Sequence, residues 1–128
     1  MSITEEWKNR GANNRRDYAI LTNEIYKSGF GLNAKEYKHI KGIHESQNLR
    51  DSMTNLELAL TNLGEVTATE FHINNNSKGI EELKLDVSEA GSVINISRKQ
   101  IEEKLNRSVV TSSNYQKLTT LESKTSDD

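Results

Sequence analysis

The chain has 128 residues, of which 28% are charged and 33% apolar, with a net charge of −2 and neither cysteine nor proline. That length fits one domain, and so balanced a charge argues against a wholly disordered polyelectrolyte. The absence of cysteine excludes disulfides, thiolate metal sites and a cysteine nucleophile. The first ten residues are polar with no apolar h-region, and no apolar run nears the roughly 18 residues of a membrane span. A soluble, cytoplasmic protein without membrane contact is therefore expected.

A chain without proline suits helices better than turn-rich sandwiches or barrels. Ser2-Ile3-Thr4-Glu5 has capping-box spacing and opens a short helix over Ile3–Arg10, ended by Gly11. Tyr18, Leu21 and Ile25 follow at helical steps in a second helix, about Arg15 to Ser28, with Gly29 and Gly31 as its stop. Asn33 with Glu36 starts a third helix, Ala34–Lys41, closed by Gly42. A polar linker from Ile43 to Asn48 leads to a single turn at Leu49–Met53. Thr54-Asn55-Leu56-Glu57 is another capping box. It opens a longer helix whose expected inner stripe is Leu56, Leu60, Leu63 and Val66 or Thr67, running to Phe71. Gly64 inside it marks a close helix crossing.

The segment Lys78–Leu105 places Ile80, Leu83, Val87, Ala90, Ile94, Ser97 and Ile101 at alternating steps of three and four. Leu85, Val93 and Ile96 are expected to widen this stripe. Gly91 predicts a kink or break. Val109–Thr111 reads as a short extended piece, and 119–128 as a disordered tail after a single helical domain over 1–118. The fold expected is all-α, a small bundle of four to five helices with two longer ones. With so few apolar residues, pairing of the Ile80–Ile101 stripe across a two-fold axis makes a homodimer the favoured assembly.

Charge is unevenly spread. Residues 1–50 hold nine Lys/Arg and six Asp/Glu, whereas 51–128 hold eight and thirteen. Arg15 and Arg16 stand together, and Lys35, Lys38 and Lys41 share a helix face beside Tyr37. With Arg50 they form a basic surface compatible with phosphate contact. The sequence pI of about 5.9 argues against autonomous, tight DNA binding. Residues 51–89 carry eight acids and two lysines, among them Asp51, Glu81, Glu82 and Asp86. They offer an acidic surface that steers a basic partner.

Chemistry-bearing motifs are sparse. Glu36 and His39 form a single Glu-x-x-His, where di-iron bundles need two, and no His-x-x-x-His pair or nucleophile elbow occurs. Gly29-Phe30-Gly31 lacks the rest of a dinucleotide loop. Glu81/Glu82 and Glu102/Glu103 are sequence neighbours that point apart on a helix. No catalytic residue, cofactor or metal is assigned, and the chain is expected not to be an enzyme.

Several strings together carry a family resemblance. They are Asp17–Ile25, Lys35–Lys38 with Lys41–Ile43, the run Asn48-Leu49-Arg50-Asp51-Ser52-Met53-Thr54-Asn55-Leu56-Glu57-Leu58, Gly64–Glu70 and Val109–Ser112. In this order, from about Glu6 to Leu118, the chain resembles the C-terminal region of BRO-family phage antirepressors and DNA-damage-inducible protein D-like proteins. The Asn48–Leu58 run is the most specific piece. That family places a BRO-type, DNA-binding domain ahead of this region, and the chain is expected to act without one. The resemblance implies repressor antagonism or modulation of a recombinase filament, and it transfers no catalytic residue. The sequence departs from the family pattern at the asparagine-rich Asn74–Gly79 and at Gly91, where relatives often have two adjacent glycines.

The leading expectation is a phage- or prophage-type regulatory protein that binds and modulates a host or phage protein: a repressor, a recombinase or a nucleic-acid-targeting defence enzyme. Its contact residues would be Arg15, Arg16, Tyr37, Lys38, Lys41, Arg50, Asp51, Glu81, Glu82 and Asp86. The alternative is an accessory domain of the DNA-damage response with weak nucleic-acid contact.

Overall fold

The computed structural model describes residues 2–114, and the fold is all-α. Five α-helices follow in order: α1 (Ile3–Asn9), α2 (Arg15–Phe30), α3 (Ala34–Lys41), α4 (Asn55–Asn75) and α5 (Gly79–Leu105). A single 3₁₀ turn, Leu49–Ser52, precedes α4. The expected domain limit at 118 and the tail 119–128 lie outside the described residues.

Local chemistry explains most helix ends. Ser2 and Asn14 accept the backbone N–H of Glu5 and Asp17 through their side chains. Asn33 with Glu36, and Thr54 with Glu57, form complete capping boxes, each satisfying two otherwise orphaned N–H groups. Asn76 and Asn106 adopt the left-handed conformation that terminates α4 and α5. Two expected helix ends move by two residues or more. Helix α2 runs through Gly29, which keeps a helical φ, to Phe30, and α4 continues past Phe71 to Asn75; the left-handed residues that end them are Gly31 and Asn76.

Helices α4 and α5 form an antiparallel hairpin: Gly64 approaches Ile94 near the middle of both helices, and His72 meets Asp86 closer to the turn that joins them. Helix α2 lies across α5, its most extensive partner. Leu83, Val87, Ala90 and Ile94 of the α5 stripe are fully buried against these two helices. Ile80 and Ile101, at the two ends of the stripe, are partly buried against this core, so the middle of the surface that motivated an expected homodimer is covered within one chain. Leu85 and Ile96 do not widen the stripe: both are exposed.

Helix α5 is continuous through Gly91, so the expected kink is absent. Gly91 serves instead as a crossing point. A Cβ there would stand 1.7 Å from Ser28 Oγ, 2.6 Å from Ser28 Cβ and 3.2 Å from the Gly29 backbone nitrogen. A Cβ at Gly64 would meet the flexible tip of Ile94 at 2.2 Å. Alanine gains up to about 1 kcal/mol of helix propensity at either site. At Gly91 the neighbour is a short side chain on a packed backbone, so Gly91→Ala is expected to lose a net 1–2 kcal/mol or so through overpacking. At Gly64 the Ile94 tip can turn aside, and Gly64→Ala should be nearly neutral. Paired urea denaturation curves check the order of the two variants.

The inner face of α4 departs most from expectation. Leu60 is buried, but Leu63 and Val66 face outward at 40% and 63% exposure, and the buried positions are Glu57, Thr61, Gly64, Ala68 and His72. Small residues there let α5 approach, and the polar ones meet partners from other elements. Val109 is buried, yet Val109–Thr111 forms no strand; the segment packs as an irregular strap whose Val109 N–H donates to Glu102 Oε2 at 2.9 Å.

Candidate functional site

Two polar clusters hold the buried acidic and basic side chains among the described residues. In the first, Glu57 is fully buried and receives Lys41 Nζ at 2.5 Å, the Tyr37 hydroxyl and the Thr54 backbone N–H. Lys41 Nζ also donates to the Ser113 carbonyl at 2.6 Å, and Asn114 Nδ2 donates back to the Lys41 carbonyl at 3.0 Å. The cluster therefore ties α3, α4 and the strap together. Burial, reinforced by the hydrogen bond to Glu57, pushes the Tyr37 hydroxyl far above the usual tyrosine range, so it remains a neutral donor. Tyr37 also packs edge-on against Tyr26 and Phe30, with ring centroids 5.9 and 5.4 Å away.

The second cluster joins α1, α4 and α5. Trp7 Nε1 donates to His72 Nε2 at 3.1 Å, which leaves the His72 proton on Nδ1 to donate to Asp86 Oδ2 at 2.8 Å. Ser77 Oγ donates to the same carboxylate oxygen at 2.5 Å, and Asn75 Nδ2 to Oδ1 at 2.9 Å. Burial disfavours the charged form of Asp86, but the hydrogen bonds from Ser77, His72 and Asn75 outweigh it and hold the carboxyl below its ordinary value. Ser, His and Asp are together here without the order of a triad. Serine bonds to aspartate rather than histidine, and the remaining histidine nitrogen is occupied by tryptophan.

These clusters correct the predicted contact set. Tyr37, Lys41 and Asp86 are buried and engaged inside the fold, so they belong to its interior rather than to a surface. The lysine face of α3 is correspondingly dismantled. Lys41 turns inward to Glu57, Lys35 pairs with Glu45 at 3.3 Å, and Lys38 Nζ donates to the Glu45 carbonyl at 2.6 Å. Arg15 and Arg16 are exposed on the first turn of α2, Asp51 on the 3₁₀ turn, and Glu81 and Glu82 on the first turn of α5. Glu82 Oε1 accepts the Lys78 N–H at 2.9 Å.

Of the predicted residues, Lys38 and Arg50 come together. They border an open cleft of about 480 Å³ between α1, α2, α3 and α4, floored by Trp7, Ile25, Tyr26 and Leu49. Arg50 spans its edge, paired with Glu65 and hydrogen-bonded to Asn62. Burial pushes the Tyr26 hydroxyl up to about 12, against the pull of Arg50 and with a further push from Glu65. Val66 lies on the cleft wall and also on the outer face of α4, where Leu63, Val66 and Ile73 are 40%, 63% and 54% exposed. Sequence reasoning missed Tyr26, Glu65 and this outward apolar row, because an apolar row at helical spacing reads as core. The available signal was the competing row Thr61, Gly64, Ala68 and His72, small enough to let a neighbouring helix close in.

Among the described residues, no group of three His, Cys, Asp or Glu side chains is placed to hold a metal ion, and no helix is long and apolar enough to cross a membrane. No curated protein and no solved structure matches the chain. A family model does, that of the DinD C-terminal domain, over residues 1–108, in keeping with the helices and linker strings described above. By that match, which spans most of its length, the chain belongs to the DinD C-terminal domain family.

Proposed function

We propose that the chain is a non-enzymatic interaction module that binds another protein, of host or phage origin, and modulates it. A repressor, a recombinase or a nucleic-acid-targeting defence enzyme would each fit. The observation that carries this reading is the outer face of α4. Leu63, Val66 and Ile73 form an exposed apolar row that continues into the cleft edged by Arg50 and Glu65. Apolar side chains exposed together on one helix face, interrupted there by Glu70 and bordered by the Arg50–Glu65 pair, have the mixed composition of a protein-contact patch. The absence of a catalytic role is supported by the two buried clusters, whose titratable groups are all engaged in structural hydrogen bonds.

A nucleic-acid role is weakened by the same geometry. With Lys41 buried, Arg50 paired to Glu65 and Lys35 to Glu45, no continuous row of free cations remains on α3 or the 3₁₀ turn. Capture from a bacterial lysate on the immobilised chain, with and without nuclease, tests the proposal. One dominant protein that survives nuclease is the expected result. Recovery that disappears with nuclease would overturn it in favour of the accessory nucleic-acid role.

A further inference from the structure

We propose that the outer face of α4 seats a helix of the partner protein, one that is amphipathic and carries a lysine or arginine where it meets Glu70. This rests on the reading of the chain as an interaction module. Ala59, Leu63, Val66, Glu70 and Ile73 follow at steps of four, three, four and three, and all five are exposed. At 100° per residue they fall within about 80° of the helix circumference, the narrow seam of a coiled-coil contact.

Charge chooses the occupant. Helix α4 has three acids and no lysine or arginine in its 21 residues. Glu57 is neutralised by Lys41 and Glu65 by Arg50, whereas Glu70 has no ion pair or hydrogen bond from its side chain among the described residues. Any helix laid along the seam covers Glu70, and a carboxylate stripped of water without a counter-charge is strongly unfavourable. A base on the incoming helix removes that cost and fixes its register.

A second copy of the chain does not meet the requirement. Two α4 helices paired in parallel stack Glu70 on Glu70, and paired antiparallel they set Glu70 against a helix with no base to offer. A non-symmetric contact between copies would leave one seam open at each step and grow chains rather than a closed dimer. Nucleic acid is repelled by the unpaired carboxylate.

A photoreactive benzoylphenylalanine at position 66 of the full chain, with a control at the exposed Ala19, reads out the occupant after irradiation in bacterial lysate. The expected adduct at 66 is a single protein, joined within a segment whose apolar residues recur every three or four positions beside a lysine or arginine. Glu70→Lys should cut its yield about tenfold, since it sets like charges together, and Glu70→Gln should cut it less. Circular dichroism confirms that these surface variants remain folded. An adduct to a second copy, to nucleic acid or to an acidic segment overturns the proposal, as does no adduct at 66. If the nuclease-resistant partner is still captured when position 66 gives no adduct, this inference fails and the interaction reading stands. If no such partner is captured, both fail.

Discussion

Lys41→Ala is expected to destabilise the domain by about 3–5 kcal/mol, the cost of stranding one member of a buried ion pair. Both side chains of the Lys41–Glu57 pair are fully buried, so Glu57 cannot recover its hydration when the ammonium goes. The loss spreads beyond the pair. Lys41 also holds the Ser113 carbonyl, so the strap loses an anchor to α3, and the Tyr37 hydroxyl is left donating to an uncompensated carboxylate. Most of the penalty comes from the stranded charge, which the double variant Lys41→Met/Glu57→Gln removes. Glutamine keeps one oxygen for the Thr54 N–H, the Tyr37 hydroxyl can turn to accept from its amide nitrogen, and methionine fills the volume of the lysine stem. The double variant should therefore be more stable than Lys41→Met alone. Urea denaturation with an unchanged m-value measures the difference.

The second large effect belongs to Asp86. Asp86→Asn keeps the shape but leaves one acceptor oxygen for three donors, from His72, Ser77 and Asn75, and is expected to cost about 2–3 kcal/mol. Its pH signature follows from the direction of the shift. The folded-state carboxyl lies below the ordinary value of 3.8, so the folded protein binds this proton less readily than the unfolded chain. The stabilisation is fully present above that ordinary value and is lost as pH falls through the folded one. Between those limits stability rises with pH in the parent, and the Asp86→Asn variant lacks that contribution. Denaturation midpoints collected across the acid range compare the two directly.

How far the sequence could be read follows from where each residue finds its partner. The capping boxes at Asn33 and Thr54 are satisfied within three residues, so the starts of α3 and α4 were legible. The α5 stripe was legible too, because Leu83, Val87, Ala90 and Ile94 are apolar, evenly spaced and all buried. Helix α4 was not. Its buried Glu57 and His72 are made tolerable by Lys41, Trp7 and Asp86, which lie 16, 65 and 14 residues away, and no local pattern announces such partners. Gly91 misled for the same reason. As a residue in sequence it reads as a helix breaker, and only the proximity of Ser28 reveals a crossing point. The predicted contact set failed at Tyr37, Lys41 and Asp86 because charged and aromatic residues at helical spacing read as surface when their counter-charges are distant. Arg50 and Lys38 lie as neighbours on the cleft.

The outer face of α4 bears the functional account, and the nuclease-treated capture experiment tests it most directly when repeated with Leu63→Glu/Val66→Glu. Both positions are exposed, so the variant should keep the helical signal and melting transition of the parent. The captured protein should be lost while the fold is retained. Undiminished capture of the same protein by the folded variant would contradict it and place the contact surface elsewhere on the domain.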